Sequence, residues 1–298
     1  MRPRYSRALA REDFATGLLC LLPSFAVVAV FTLFPLVFSL LLSFRSWNIL
    51  TPEKPFVGLA NYAAMFSNPE FWISLRNTAL FTLGVVPFGA LASLGLALLL
   101  NRKLHLSGFF RTTFFLPVIT SIIAVAIVFL WVYDDNNGLL NSILRALGFK
   151  GVRWLTSPDT ALLSLVLMTI WKNAGYHMVI FLAGLQAIPQ EFYEAAILFG
   201  AGPWQRFRFV TWPLLVPTTL FVMVTNTIFT FQVFGPIYVM TGGGPVRSTS
   251  VVVYHLYQRA FEFQEMGYAS AVAWFVFVLL MILTILQTRL SRLGSSAL

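Results

Sequence analysis

Long apolar runs alternate with short polar segments along this chain. About twenty apolar residues suffice to cross the hydrocarbon core of a bilayer as a helix. Phe14 to Phe44 contains no charged residue, and further runs cover Asn77 to Leu100, Thr113 to Tyr133, Thr160 to Ala187, Val210 to about Pro236, and Gly267 to Thr288. Only Lys172 interrupts the fourth. The pattern predicts an all-α membrane protein with six transmembrane helices in a domain spanning 14–290, flanked by short tails at 1–13 and 291–298. Six spans put both termini on one side of the membrane. A basic start followed by an apolar run imitates a signal peptide, but the first run is too long for one and no cleavage site with small flanks follows, so it is read as an uncleaved first span.

The polar segments have patterns of their own. The loop 189–210, between the fourth and fifth spans, begins with Pro189 at a first helical position and Glu191 and Glu194 in the opening turns, where carboxylates favour the positive end of the helix dipole. At 100° per residue Phe192, Ala195, Ala196 and Phe199 form one stripe, with Glu191, Glu194 and Leu198 on the other side. Gly200-Ala201-Gly202-Pro203 then breaks the helix, and a second short run, Trp204 to Val210, carries Arg206 and Arg208. The pattern by itself fits a helix anchored at the headgroups as well as one that docks a partner. Elsewhere, Asn68-Pro69-Glu70 reads as an N-cap with Pro at the first helical position. Leu139, Leu140, Ile143, Leu144 and Leu147 recur at helical spacing and stop at Gly148, predicting a short helix on the membrane surface. Thr241-Gly242-Gly243-Gly244-Pro245 is a flexible break between the last two spans.

Composition agrees with a bilayer. With 58% hydrophobic and 10% charged residues and a mean hydropathy of +0.80, the 298 residues carry too few charges to cover a soluble globule. The net charge of +9 comes from basic residues scattered at the ends of apolar runs, not from one patch, which excludes a nucleic-acid partner. Segments 1–13, 101–112, 189–210 and 289–298 hold 11 Lys and Arg in 57 residues, against 8 in 77 for 45–76, 134–159 and 247–265. The denser set is expected to face the cytoplasm, with both termini and the 189–210 loop. Cys20 is the sole cysteine, so no intramolecular disulfide forms. His105, His177 and His255 have no ligand-like spacing, and no metal site is expected. No phosphate-cradling G-x-x-x-x-G-K-[ST] loop occurs, nor a catalytic triad, so the chain is not expected to be an enzyme or to bind a cofactor. No Asp or Glu lies in the spans, which counts against an ion-coupled secondary transporter or channel, the alternative for a protein of this class.

Glu194-Ala195-Ala196, Gly200, Gly202 and Pro213-Leu214-Leu215 resemble the EAA loop of the membrane subunits of ABC importers that work with a binding protein. Phe199 stands where that family commonly has Asp, and Trp212 where it has Leu. Gly58-Leu59-Ala60-Asn61-Tyr62, Gly138-Leu139-Leu140-Asn141, Phe181-Leu182-Ala183-Gly184-Leu185-Gln186-Ala187-Ile188-Pro189 and Met240-Thr241-Gly242-Gly243-Gly244-Pro245 are similar to the carbohydrate-uptake branch, in its MalF-like or UgpA-like form. The resemblance implies a permease that moves a di- or oligosaccharide, polyol or glycerol phosphate across a bacterial or archaeal plasma (inner) membrane. It implies a second, different permease subunit, two copies of a cytoplasmic ATPase that hold ATP and Mg, and an extracytoplasmic solute-binding protein. The loop would be the coupling helix, with Glu191, Glu194, Ala195, Ala196, Gly200, Gly202 and Arg206 meeting the ATPase.

A polar solute needs hydrogen-bond partners inside the bundle, where polar side chains avoid lipid. The candidates are Thr120 and Ser121 after Pro117, then Lys172, Asn173, Tyr176 and His177, and then Asn226, Thr230 and Gln232. Asn226 and Thr230 lie one turn apart on one face. The resemblance matches Lys172, Asn173, Tyr176, Asn226 and Thr230 to positions that bind sugar in the maltose permease. Tyr176 can stack on a sugar face. The same polar groups can instead bond neighbouring helices, and the Lys172 ammonium, costly at membrane depth, calls for a cavity, a phosphate or another partner.

Overall fold

The computed structural model describes residues 7–48, 50–51, 53–102 and 106–295, with side chains from residue 16 to 289. Arg2, Arg4, Lys103, His105 and the last three residues lie outside that set. The order is α1 (Arg7–Val28), a π turn (Ala29–Leu33), α2 (Phe34–Ser43), α3 (Ala60–Ser67), α4 (Pro69–Leu100), α5 (Ser107–Ile119), α6 (Ile122–Val132), α7 (Leu139–Ala146) and α8 (Pro158–Gln186). Then come α9 (Gln190–Leu198), α10 (Pro203–Arg206), a π turn (Phe207–Thr211), α11 (Trp212–Phe231), α12 (Gly235–Met240), α13 (Val252–Tyr257), a π turn (Gln258–Glu262) and α14 (Met266–Ser295). No strand occurs among the described residues. Five helical stretches are long and apolar enough to cross a membrane, and six if α5 and α6 count as one span.

Proline explains much of the irregularity. Its ring collides with the carbonyl four residues earlier. At Pro35 and Pro213 the helix widens by one residue just upstream, so that Phe34 N–H reaches Ala29 O and Trp212 N–H reaches Phe207 O. Such π turns absorb the proline without a break. Pro117 has a different outcome. Three residues beyond it the chain becomes extended at Thr120 (ψ 141°) and Ser121 (ψ 134°), and α6 leaves at 97° to α5. The third span, expected as one helix over Thr113 to Tyr133, is therefore two. The fifth differs as well: α10, the π turn and α11 form one stretch from Pro203 to Phe231, because nothing between Trp204 and Trp212 interrupts helical backbone. The short run Trp204 to Val210 is thus the start of that span, and α12 is a separate helix instead of the span's end.

The chain divides into two compact units, residues 1–65 with 259–274 and residues 66–258 with 275–298. In the first, α1, the π turn and α2 present apolar side chains such as Leu18, Phe25, Phe31 and Val37 outward, as a lipid-facing helix does. Asn61 ties its loops together by donating from Nδ2 to Ser43 O (2.8 Å) and Arg45 O (2.9 Å). Gly267 lies so close to Arg45 that a Cβ would fall 2.0 Å from its carbonyl oxygen.

In the second unit α4 and α8 form the central pair, and Phe81, Val85, Leu165 and Met168 make one core cluster with α6 and α12. Small residues let helices approach closely, as membrane bundles need. Gly84 meets Val166, and Gly184 meets Thr218. Asn68 caps α4 as expected, its Oδ1 accepting from Glu70 N–H at 2.9 Å. Asn141 of α7 is fully buried and satisfied at both ends: Nδ2 donates to Asp135 O and Val152 O, with a longer contact to Asp134 O, and Oδ1 accepts from Val152 N–H and Trp154 Nε1. The predicted surface helix is thereby fixed to the loop that follows it. Gly148 (φ +83°) ends it with a paired turn, Gly148 N–H to Arg145 O and Phe149 N–H to Leu144 O, the arrangement that a left-handed glycine allows.

Candidate functional site

A cavity of about 570 Å³ opens among α4, α5, α6, α8, α11 and α12 in the second unit. Its polar wall contains Lys172, Asn173, Tyr176, His177, Asn226, Thr230 and Gln232, so seven of the nine candidates converge on one space. They do so because α8 and α11 each turn a single face to it. Thr120 and Ser121 do not line it; both sit at the break, and Val118 and Ile122 form that wall. Sequence reasoning left one polar cavity residue out of the candidates, Thr169. The spacing held the signal: 169, 172–173 and 176–177 recur at three to four residues, one helical face.

The walls are incompletely satisfied. Thr169 Oγ1, His177 Nε2 and Asn226 Nδ2 are buried and have no hydrogen-bond partner among the described residues. Buried polar atoms are normally paired, and each unpaired one costs roughly 1–3 kcal/mol. Three orphans around one cavity describe a place for a polar guest or for water. Tyr176 offers a ring that is 39% exposed. Thr230 is more committed: its hydroxyl donates to Asn226 O (2.8 Å) and Thr227 O (3.1 Å) of its own helix, leaving only lone pairs for a solute. Asn226→Leu is expected to weaken solute-dependent turnover at least about tenfold, the loss of one charge-free donor plus its replacement by an apolar group. Unchanged apparent affinity and rate for this variant would remove Asn226 from the site.

Lys172 has found partners. Its Nζ donates to Pro117 O (3.3 Å) and Val118 O (3.4 Å), carbonyls that the break leaves without helical N–H groups. The C-terminal end of a helix carries partial negative charge, and a cation there is stabilising. One turn further along α8, Gly175 lies against α5 so closely that a Cβ would fall 2.0 Å from Phe114 O.

The second predicted site is the elbow. Pro189 is the residue before α9 instead of its first, and Gly200 (φ +78°) closes the helix through Gly200 N–H to Ile197 O and Ala201 N–H to Ala196 O, both 2.9 Å. Gly202 starts the next helix, its N–H reaching Gln205 Oε1 at 2.8 Å. Glu191, Glu194 and Ala195 are exposed and Ala196 is half-buried. Among the described residues nothing covers the ends of the apolar stripe: Phe192 is exposed and Phe199 is 92% exposed. What holds α9 is Tyr193, whose hydroxyl meets Thr211 Oγ1 at 3.0 Å.

Bilayer-length helices, a cavity with polar walls and an exposed amphipathic elbow define a multi-pass membrane transport protein. The chain belongs to the family of binding-protein-dependent transport system inner membrane components, whose family model matches residues 85–293. It is similar to the sulfoquinovosyl glycerol transport system permease protein SmoG of Agrobacterium fabrum, 36% identical over 97% of this chain and 94% of that protein. It is also similar to the trehalose/maltose transport system permease protein MalF of Thermococcus litoralis, 36% identical over 95% and 96%, and to the lactose transport system permease protein LacF of Rhizobium radiobacter, 35% identical over 96% and 97%. A bacterial alginate ABC transporter, solved in complex with an alginate pentasaccharide-bound periplasmic protein, has the same fold, with a TM-score of 0.84 over 98% of this chain and 99% of that one at 22% identity. The chain is accordingly a permease subunit of an ABC transport system.

Proposed function

We propose that this permease carries a sugar or sugar-like solute, a di- or oligosaccharide, polyol or glycerol phosphate, from a solute-binding protein into the cell, across a bacterial or archaeal inner membrane. The observation that carries this reading is the set of unpartnered polar atoms around the cavity beside the half-exposed ring of Tyr176, a combination suited to a face of hydroxyls and an apolar ring face. The named solutes of the three relatives above are themselves glycosides. Two copies of a cytoplasmic ATPase supply the work by binding ATP and Mg, and a second permease subunit completes the pathway. Glu191, Glu194, Ala195, Ala196, Gly200, Gly202 and Arg206 belong to the coupling loop, and both termini lie with it in the cytoplasm. The exposed apolar stripe of α9 supports a docked partner, since free amphipathic helices do not leave such side chains in water.

Coupling works because a rigid short helix transmits displacement to the spans that flank it. The test is ATP hydrolysis by the assembled transporter in proteoliposomes. Binding protein with solute is expected to stimulate it, and Glu194→Lys or Gly200→Pro to cut that stimulation at least about tenfold, a coupling free energy on the order of 1.4 kcal/mol. Gly200→Pro acts by denying the left-handed turn, since Pro fixes φ near −65°. Solute transport by this chain alone, without an ATPase, would overturn the reading.

A further inference from the structure

A second cleft, of about 480 Å³, lies where α4 ends and the elbow begins. Leu98, Asn101, Arg102, Tyr193, Trp204 and Arg206 are among its walls. Arg206 Nε is buried and unpartnered. Among the described residues neither Arg102 nor Arg206 has an ion pair, whereas Arg247 and Arg259 pair with Glu70 and Glu265. Arg102 is exposed and Arg206 half-buried in this cleft, and each guanidinium is a fork of donors matched to a phosphate's oxygens. An anion with several acceptor oxygens answers both unpaired cations and the orphaned donor.

The surroundings select the kind of anion. Trp204 and Phe209 are each 69% exposed and Trp212 is 41% exposed, and Trp204 stacks on Phe207 at 5.6 Å. Such aromatic clusters at the end of a span sit at headgroup level. Deeper along the same two helices lies an apolar groove of about 380 Å³, walled by Leu91 and Leu94 of α4 and by Trp212, Val216 and Leu220 of α11. Leu94 is one turn from Leu98, and Val216 one turn from Trp212. A basic cleft at the elbow with an apolar groove below it follows the outline of a lipid, headgroup then acyl chain. An ATPase carboxylate satisfies the first feature and leaves the second unused.

We propose that Arg102 and Arg206 hold the phosphate of an anionic inner-leaflet phospholipid whose acyl chain occupies the α4–α11 groove. The leaflet rests on the orientation proposed above; the binding does not. The assembled transporter, purified in detergent, would be stripped of lipid and titrated with phosphatidylglycerol, phosphatidylcholine or inorganic phosphate, with retained lipid read by native mass spectrometry and stability by thermal unfolding. Phosphatidylglycerol is expected to be retained and to raise the unfolding temperature. The double variant Arg102→Gln/Arg206→Gln should weaken retention at least about tenfold, and Arg102→Lys/Arg206→Lys should keep most of it. Val216→Trp, which fills the groove and leaves both arginines, should also lower retention. Equal retention of phosphatidylcholine, equal protection by inorganic phosphate, or a cross-link from Arg206→Cys to the ATPase that phosphatidylglycerol does not reduce would each overturn the proposal. None of these readouts needs solute, so absent solute-stimulated hydrolysis beside intact lipid retention would sink the transport reading alone.

Discussion

Gly175→Ala is expected to remove most of the correctly assembled protein from the membrane, although it adds a single methyl group. The added Cβ would lie 2.0 Å from Phe114 O, 2.7 Å from Phe114 C and 3.0 Å from Phe115 Cα. All three are backbone atoms, so no rotamer change relieves the collision, and α5 as a body must move away from α8. Overpacking a core with an extra methylene costs roughly 1–3 kcal/mol where side chains can yield; against a helix backbone the upper end or more applies. The movement would also pull Pro117 and Val118 away from Lys172, one turn away on the same helix, and reopen the carbonyl end of the broken span. Size-exclusion yield and unfolding temperature in detergent measure the effect. Gly95→Ala is the control: nothing lies within 4 Å of its Cβ position, and alanine is the better helix former, so stability should hold or rise slightly. Wild-type behaviour of Gly175→Ala would show that α5 and α8 are not packed backbone to backbone.

The spans, the cap at Asn68 and the stops at Gly148 and Gly200 were legible because each has a local cause: a long apolar run, a side-chain acceptor before Pro69, or a glycine where only a left-handed residue closes the helix. The polar wall of the cavity was legible for a related reason. Polar side chains in an apolar run have few places to go, so Lys172, Asn173, Tyr176, Asn226 and Thr230 had to turn towards protein instead of lipid. Pro117 was not legible in the same way. Pro35 and Pro213 are absorbed by π turns, Pro87 and Pro217 sit inside continuous helices, and Pro117 alone precedes a 97° break, although hydropathy runs unbroken from Thr113 to Tyr133. The carbonyls that the break itself orphans, Pro117 O and Val118 O, are received by Lys172, some fifty residues away in sequence. The spacing of α9 could be read from the sequence; that Phe192 and Phe199 stay exposed among the described residues is a tertiary fact that no single-chain pattern contains.

Lys172→Met should abolish most solute-stimulated ATP hydrolysis, and Lys172→Arg should restore much of it. At 7% exposure the ammonium is held inside the protein by Pro117 O and Val118 O, so at most one of its three N–H groups remains for a solute. Methionine keeps the length of the side chain and removes the donors. Two carbonyls at a helix C-terminus are then orphaned in a low-dielectric setting, costing about 1–3 kcal/mol, and the cavity wall formed by Val118 and Ile122 loses the contact that fixes its angle. Arginine presents a donor fork to the same pair. Since the lesion lies in the wall and not in recognition of charge, Lys172→Met should lower the maximal rate more than the apparent affinity, and to the same extent for a neutral and for an anionic solute. If instead it spares a neutral glycoside and abolishes binding of a phosphorylated or sulfonated one, the ammonium reads the cargo, and the carbonyls of α5 are only where it rests when the cavity is empty.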